Sequence, residues 1–164
     1  SISLAESLAN QGQGMIYSMN FGNGGTSVDP TGIITYLSPN STGTNASLYN
    51  QTYTKVIDDN SINNTDPTRN KIETRHVSGT NYTDIIATCL LDYGEPSGQD
   101  ALDNATSSDS LYVFDELGLV SYATSGTGRL LTHVIFHPVQ KSLNRLIQID
   151  YTVRVQSLTG FNEA

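Results

Sequence analysis

The sequence predicts an all-β protein: an antiparallel β-sandwich, jelly-roll-like, of about eight strands, entered through a short N-terminal helix or arm. Three observations point there. Ile147, Ile149, Tyr151, Val153 and Val155 alternate with Gln148, Asp150, Thr152, Arg154 and Gln156, the period of a strand with one wet face. Apolar runs of strand length recur along the chain, separated by turn-forming clusters such as Gly22-Asn23-Gly24-Gly25 and Ser38-Pro39-Asn40. The densest apolar residues stand between Leu111 and Gln156, where Tyr112 to Leu119, Leu130 to Phe136 and Ile147 to Gln156 read as three successive strands of a meander.

Taken in order, Ser3-Leu4-Ala5-Glu6 has the form of a capping box, so residues 1–14 read as a short helix or arm. The sandwich is expected over 15–157 and a tail over 158–164. Met15 to Phe21 is the first strand, ending in a glycine turn that lacks the helix and lysine of a phosphate-binding loop. Gly32 to Leu37 is the second, followed by a long polar loop from Asn40 to Asn50. Tyr53 to Ile57 and Lys71 to Val77 follow. Between them, Asp58 to Asp66 is rich in oxygen ligands, but an EF-hand counted from Asp58 would need glycine at Asn63 and glutamate at Arg69, so a loop of Asx turns is expected. Ile85 to Tyr93 is apolar on both faces and reads as a central strand. After it come an acidic loop from Gln99 to Ser110 and the last three strands, with Pro138 closing the strand that begins at Leu130.

Composition narrows the function classes. A chain of 164 residues can bury a core without metals or disulfides, and its single cysteine, Cys89, reads as a packed apolar residue. The net charge is −8 with 8 scattered Lys and Arg, which disfavours direct nucleic-acid binding. No apolar run is long enough to cross a bilayer and the first residues lack a signal-peptide pattern, so a soluble chain without a membrane partner is expected. The six Asn-x-Ser/Thr sequons are what chance gives in so Asn- and Thr-rich a sequence.

Candidate chemistry is sparse. His133 and His137 on a strand would stand about 13 Å apart, too far to share an ion. Asp115 and Glu116, adjacent on a strand, would point to opposite faces, and Glu116 is expected to pair with Lys141, Arg129 or Arg145. No nucleophile elbow, Cys–His pair or dinucleotide fingerprint occurs, so neither catalysis nor a cofactor is expected.

Phe114-Asp115-Glu116-Leu117-Gly118-Leu119, a polar turn, Leu130 to Lys141 with Pro138, then the alternating strand to Val155 resembles structural proteins of tailed bacteriophages. The order is similar to that in the N-terminal domain of tail-collar fibre proteins, which join a fibre to the baseplate. Thr83 to Gly98 is similar to the strand preceding that motif. The resemblance spans under half of the chain, its Val120 to Gly128 turn is longer than a tight hairpin, and no fibre repeat follows. It implies a non-enzymatic virion component, an adaptor in tail, baseplate or neck, or alternatively a head decoration protein. Other virion proteins and further copies of the chain would be its partners. Ile2, Leu4, Leu8, Tyr49, Tyr53 and Tyr122 are the candidate contact residues, and Glu116, Gly118, Pro138 and Lys141 the structural motif. Two other classes compete: a carbohydrate-binding receptor-recognition module stacking sugars on Tyr49, Tyr53, Tyr82 and Tyr122, and a hydrolase using Glu116.

Overall fold

The structure, a computed structural model, describes residues 15–40, 46–96, 112–124 and 128–156. The expected arm with Ile2, Leu4 and Leu8, the acidic loop from Gln99 and the tail lie outside these residues. Nine strands form: β1 Ile16–Gly22, β2 Thr26–Val28, β3 Ile34–Tyr36, β4 Gln51–Val56, β5 Lys71–His76, β6 Tyr82–Leu91, β7 Tyr112–Ser121, β8 Val134–Lys141 and β9 Ile147–Gln156. They make a four-stranded sheet in the order β4-β1-β7-β8, a three-stranded sheet in the order β5-β6-β9, and the hairpin β2-β3, all antiparallel. The described residues hold no helix.

The two larger sheets face each other across one core. Alternation in β1 turns Met19 and Phe21 inward, and their register partners on β7, Leu119 and Leu117, turn with them. The opposite sheet contributes Ala87, Cys89 and Leu91 of β6, matched across β9 by Tyr151, Ile149 and Ile147. Phe21 meets Phe114 edge-on at 5.3 Å, and Phe114 meets Phe136 at 5.7 Å, so one aromatic row spans three strands. Each such ring removed from water stabilises by roughly 1.5–3 kcal/mol. Cys89 is a free, fully buried thiol, packed as its apolar neighbours require.

Four expectations change. β9 does not extend a meander from β8; it crosses to the other sheet beside β6. Its apolar face needs a partner layer, and alternation does not encode which sheet supplies the edge. β8 begins at Val134 and runs through Pro138, leaving Leu130 with a single bridge to Val120. Proline is tolerated there because β8 is an edge strand with an irregular register: Phe114 pairs with Val139 and Glu116 with Ile135, so Phe136 to Pro138 lie opposite Asp115 alone. The second expected strand is shorter, and it pairs with β2, whose residues Thr26 to Val28 the sequence reading assigned to no element. Lastly, Asp115 and Glu116 do not point to opposite faces in the expected way. Phe114, Leu117 and Leu119 all face the core, so the irregularity directs both carboxylates to the outer side.

Elsewhere polar groups are buried with partners. Lys55 faces inward on β4, and its ammonium donates to Glu95 and to the Leu90 carbonyl, while the Tyr53 hydroxyl donates to Glu95 at 3.1 Å. Between β4 and β5 the loop is bound by its own Asx turns: Asn60 N–H donates to Asp58 at 3.0 Å, and the fully buried Asn70 accepts from Leu90 N–H at 2.8 Å.

Candidate functional site

The outer face of the first sheet is where loops converge, and Glu116 gathers them. Its carboxylate is fully buried. Oε1 accepts from Tyr49 N–H at 2.9 Å and from His133 Nε2 at 2.8 Å; Oε2 accepts from Gly24 N–H and Asn50 N–H, each at 2.9 Å. His133 Nδ1 in turn accepts from Asn40 N–H at 2.7 Å. A backbone N–H can only donate, so Nδ1 is the bare nitrogen and Nε2 carries the proton given to Glu116. Burial alone would raise the Glu116 carboxyl, but the N–H groups of Asn50, Tyr49 and Gly24 and the His133 ring outweigh it and hold the pKa below the usual range. One side chain therefore ties together the segment after β1, the segment before β4 and, through His133, the chain at Asn40. With four donors on two oxygens, no acceptor position is left for a substrate.

Asp115 does the same for the hairpin. Oδ1 accepts from Gly25 N–H at 2.9 Å, and Oδ2 from Thr26 N–H at 2.9 Å and from its hydroxyl at 2.5 Å. At the far end Asp29 Oδ1 accepts from Thr31 N–H, the Thr31 hydroxyl and Ile33 N–H, and Gly32 takes a φ of 89°, which a side chain would resist. The ribbon between is fixed at both ends. Its register pairs Thr26 with Tyr36 and Val28 with Ile34, so these four share one face and Ser27 and Thr35 the other. Both faces leave apolar side chains uncovered: Val28 is 62% exposed and Tyr36 50% on the first, while Ile33 and Leu37, which alternate to the side of Thr35 at the ends of β3, are 63% and 44% exposed.

The residues singled out in the sequence fall into separate roles. Among the described residues the side chain that pairs with Glu116 is His133 rather than Lys141. The ion-pair expectation searched among full cations, whereas a buried carboxylate needs only enough N–H donors. Lys141 is itself fully buried and donates to the Ser142 carbonyl at 2.9 Å, burial pulling its pKa down. Gly118 permits close approach: a Cβ there would overlap the Thr132 carbonyl and sit 2.6 Å from Leu130 Cδ1. Pro138 lies in the irregular part of β8.

The tyrosines do not form a common platform. Tyr49 is exposed and borders His133 at 5.4 Å, while its hydroxyl donates to the Ser38 carbonyl. Tyr53, expected to be exposed, packs toward the core against Phe21 and Tyr112; Tyr122 lies edge-on to Tyr17; Tyr82 lies under the Arg154 guanidinium. His137 is exposed and apart from the Glu116 cluster. Among the described residues, no group of three or more His, Cys, Asp or Glu converges as a metal site. The hairpin was the feature sequence reasoning missed; its signal was the Asp-Pro-Thr-Gly turn at Asp29 to Gly32, which stands between the β-branched Thr26 and Val28 and the run Ile33 to Leu37.

No family model, curated protein or solved structure matches the chain.

Proposed function

We propose that this chain is a non-enzymatic structural component of a tailed-phage virion, an adaptor in tail, baseplate or neck that docks through the β2–β3 hairpin onto a neighbouring subunit. The observation that carries the reading is that hairpin: a two-stranded ribbon, marginal by itself in water, is held rigid by Asp115 and Asp29 yet leaves Val28, Ile33, Tyr36 and Leu37 in solvent. A fixed apolar surface loses little conformational freedom on association, which suits a part that repeats in a symmetric assembly. The resemblance supports the same reading, since its Glu116 holds the Gly24 segment that leads into the hairpin. The saturated Glu116 carboxylate argues against the hydrolase class.

The test is light scattering coupled to size-exclusion chromatography on the purified chain and on Ile33→Asp/Tyr36→Asp. A defined oligomer that the double variant reduces to a folded monomer, its melting temperature unchanged, is the expected result. A native monomer that instead attaches to preformed capsid shells would move the reading to head decoration. A native chain that neither self-associates nor binds virion parts, with the hairpin variant indistinguishable from it, would overturn both.

A further inference from the structure

We infer that the outer face of the β5-β6-β9 sheet is a binding cleft for a neutral saccharide, a second site independent of the hairpin surface. Strand alternation places Lys71, Glu73 and Arg75 of β5, Ile86 and Thr88 of β6, and Gln148, Asp150 and Thr152 of β9 on this face. With Thr68 and Arg69 from the preceding loop they line a cleft of about 470 Å³, within the range of small-ligand sites and roomy enough for one or two sugar rings.

The register arranges this lining in rows. Lys71, Thr88 and Asp150 form one, and Glu73, Ile86 and Thr152 the next. Ile86 is thus a small apolar floor surrounded by hydrogen-bonding groups. Two features point to a ligand. Thr88 is only 8% exposed, yet among the described residues its hydroxyl has no hydrogen-bond partner; it lines the cleft floor as a donor and acceptor in want of one. Arg75 stands opposite Asp84, whose carboxylate takes two hydrogen bonds from Arg154, at 2.9 and 3.2 Å; Arg75 feels that charge but makes no hydrogen bond to the described residues, which leaves its N–H groups free to donate into the cleft.

The chemistry of the lining selects the ligand class. Cations and carboxylates alternate: Arg69 leans on Asp66 at 3.8 Å, Lys71 on Glu73 at 3.4 Å, and Asp150 lies across the cleft. Three cations, Arg69, Lys71 and Arg75, face two carboxylates, Glu73 and Asp150, and Arg69 is offset by Asp66 just outside the cleft, so an anion would find little net attraction and would have to lie against both carboxylates. A saccharide answers each feature. Its hydroxyls donate to Glu73 and Asp150, accept from Arg75 and Lys71, and do both with Thr88 and Thr152; its C–H face covers Ile86.

The test is titration of the ¹⁵N-labelled chain with maltose, cellobiose and N,N′-diacetylchitobiose, followed by amide chemical shifts. Saturable shifts confined to Lys71–Arg75, Ile86–Thr88 and Gln148–Thr152, for at least one probe, are expected. Arg75→Ala and Thr88→Val should each weaken that binding by about tenfold or more, because each removes a group a sugar hydroxyl would engage. Arg75 is exposed, so its variant carries the test if Thr88→Val does not fold. The inference is overturned if no probe gives saturable shifts, if they map elsewhere, if neither variant alters them, or if only a sulfated polysaccharide binds and is released by salt, which would be ion exchange. None of these outcomes depends on the oligomeric state.

Discussion

Glu116 has two oxygens and four donors. Replacing it with glutamine leaves one acceptor oxygen and sets an NH₂ group against N–H groups that cannot accept. Glu116→Gln should therefore cost about 2–4 kcal/mol, read as a fall in denaturant midpoint at unchanged m-value. The pH dependence has a definite sign. The folded carboxyl titrates below its ordinary 4.5, so the folded state binds this proton only at lower pH than the unfolded chain does. Stability from Glu116 is complete above about pH 5 and is lost as pH falls through the folded value. Between about pH 6 and pH 3 the variant should lose less melting temperature than the native chain. An equal loss in both would mean that the carboxylate is not held by its donors. The importance of Glu116 was legible in sequence, an acid inside an apolar strand; its partner His133 was not, because a neutral ring 17 positions away carries no charge to search for.

At the scale of elements, the fit of β7 beneath the segment at Leu130 to His133 depends on Gly118. Gly118→Ala would push a methyl into the Thr132 carbonyl, which is backbone and cannot swing aside; we expect a loss of about 1–3 kcal/mol in denaturant unfolding. A stability unchanged within error would mean that the Leu130 segment rests further from the sheet. β9 was readable almost to the residue, since one buried and one wet face write a period of two into the sequence. β2 was not, because Thr26–Val28 is too short to show any period and follows a glycine cluster. Pro138 misled for a specific reason: proline stops a central strand, and β8 has a neighbour on one side only. The candidate contact tyrosines were the least legible part, since whether a tyrosine on a strand lies over the core or in water depends on which sheet covers it.

For the molecule as a whole, the single thiol reports on the integrity of the sandwich. Cys89 is fully buried where the two sheets meet, and desolvation pushes its pKa up to about 12. Alkylation by iodoacetamide at neutral pH should be slow in the native protein and should track global unfolding as denaturant is added. Rapid labelling without denaturant would show that the sheets part locally. The all-β architecture was legible because it rests on composition and period, quantities that a sequence carries directly. The division of strands between sheets was not, because it is decided by contacts between distant segments.

The placement of β1 between β4 and β7 also governs when the protein can become itself. Met19 is joined to Leu119, about a hundred positions later in the chain. At roughly 5–20 residues per second, a ribosome needs some 5–20 s to make the intervening polypeptide. For that interval Met19 and Phe21 have no opposite strand on the β7 side, and a chain stalled before Tyr112 would leave a nascent edge open to other chains. Completion of the four-stranded sheet is thus timed by synthesis of its later half, and truncated products should be the species that chaperones hold.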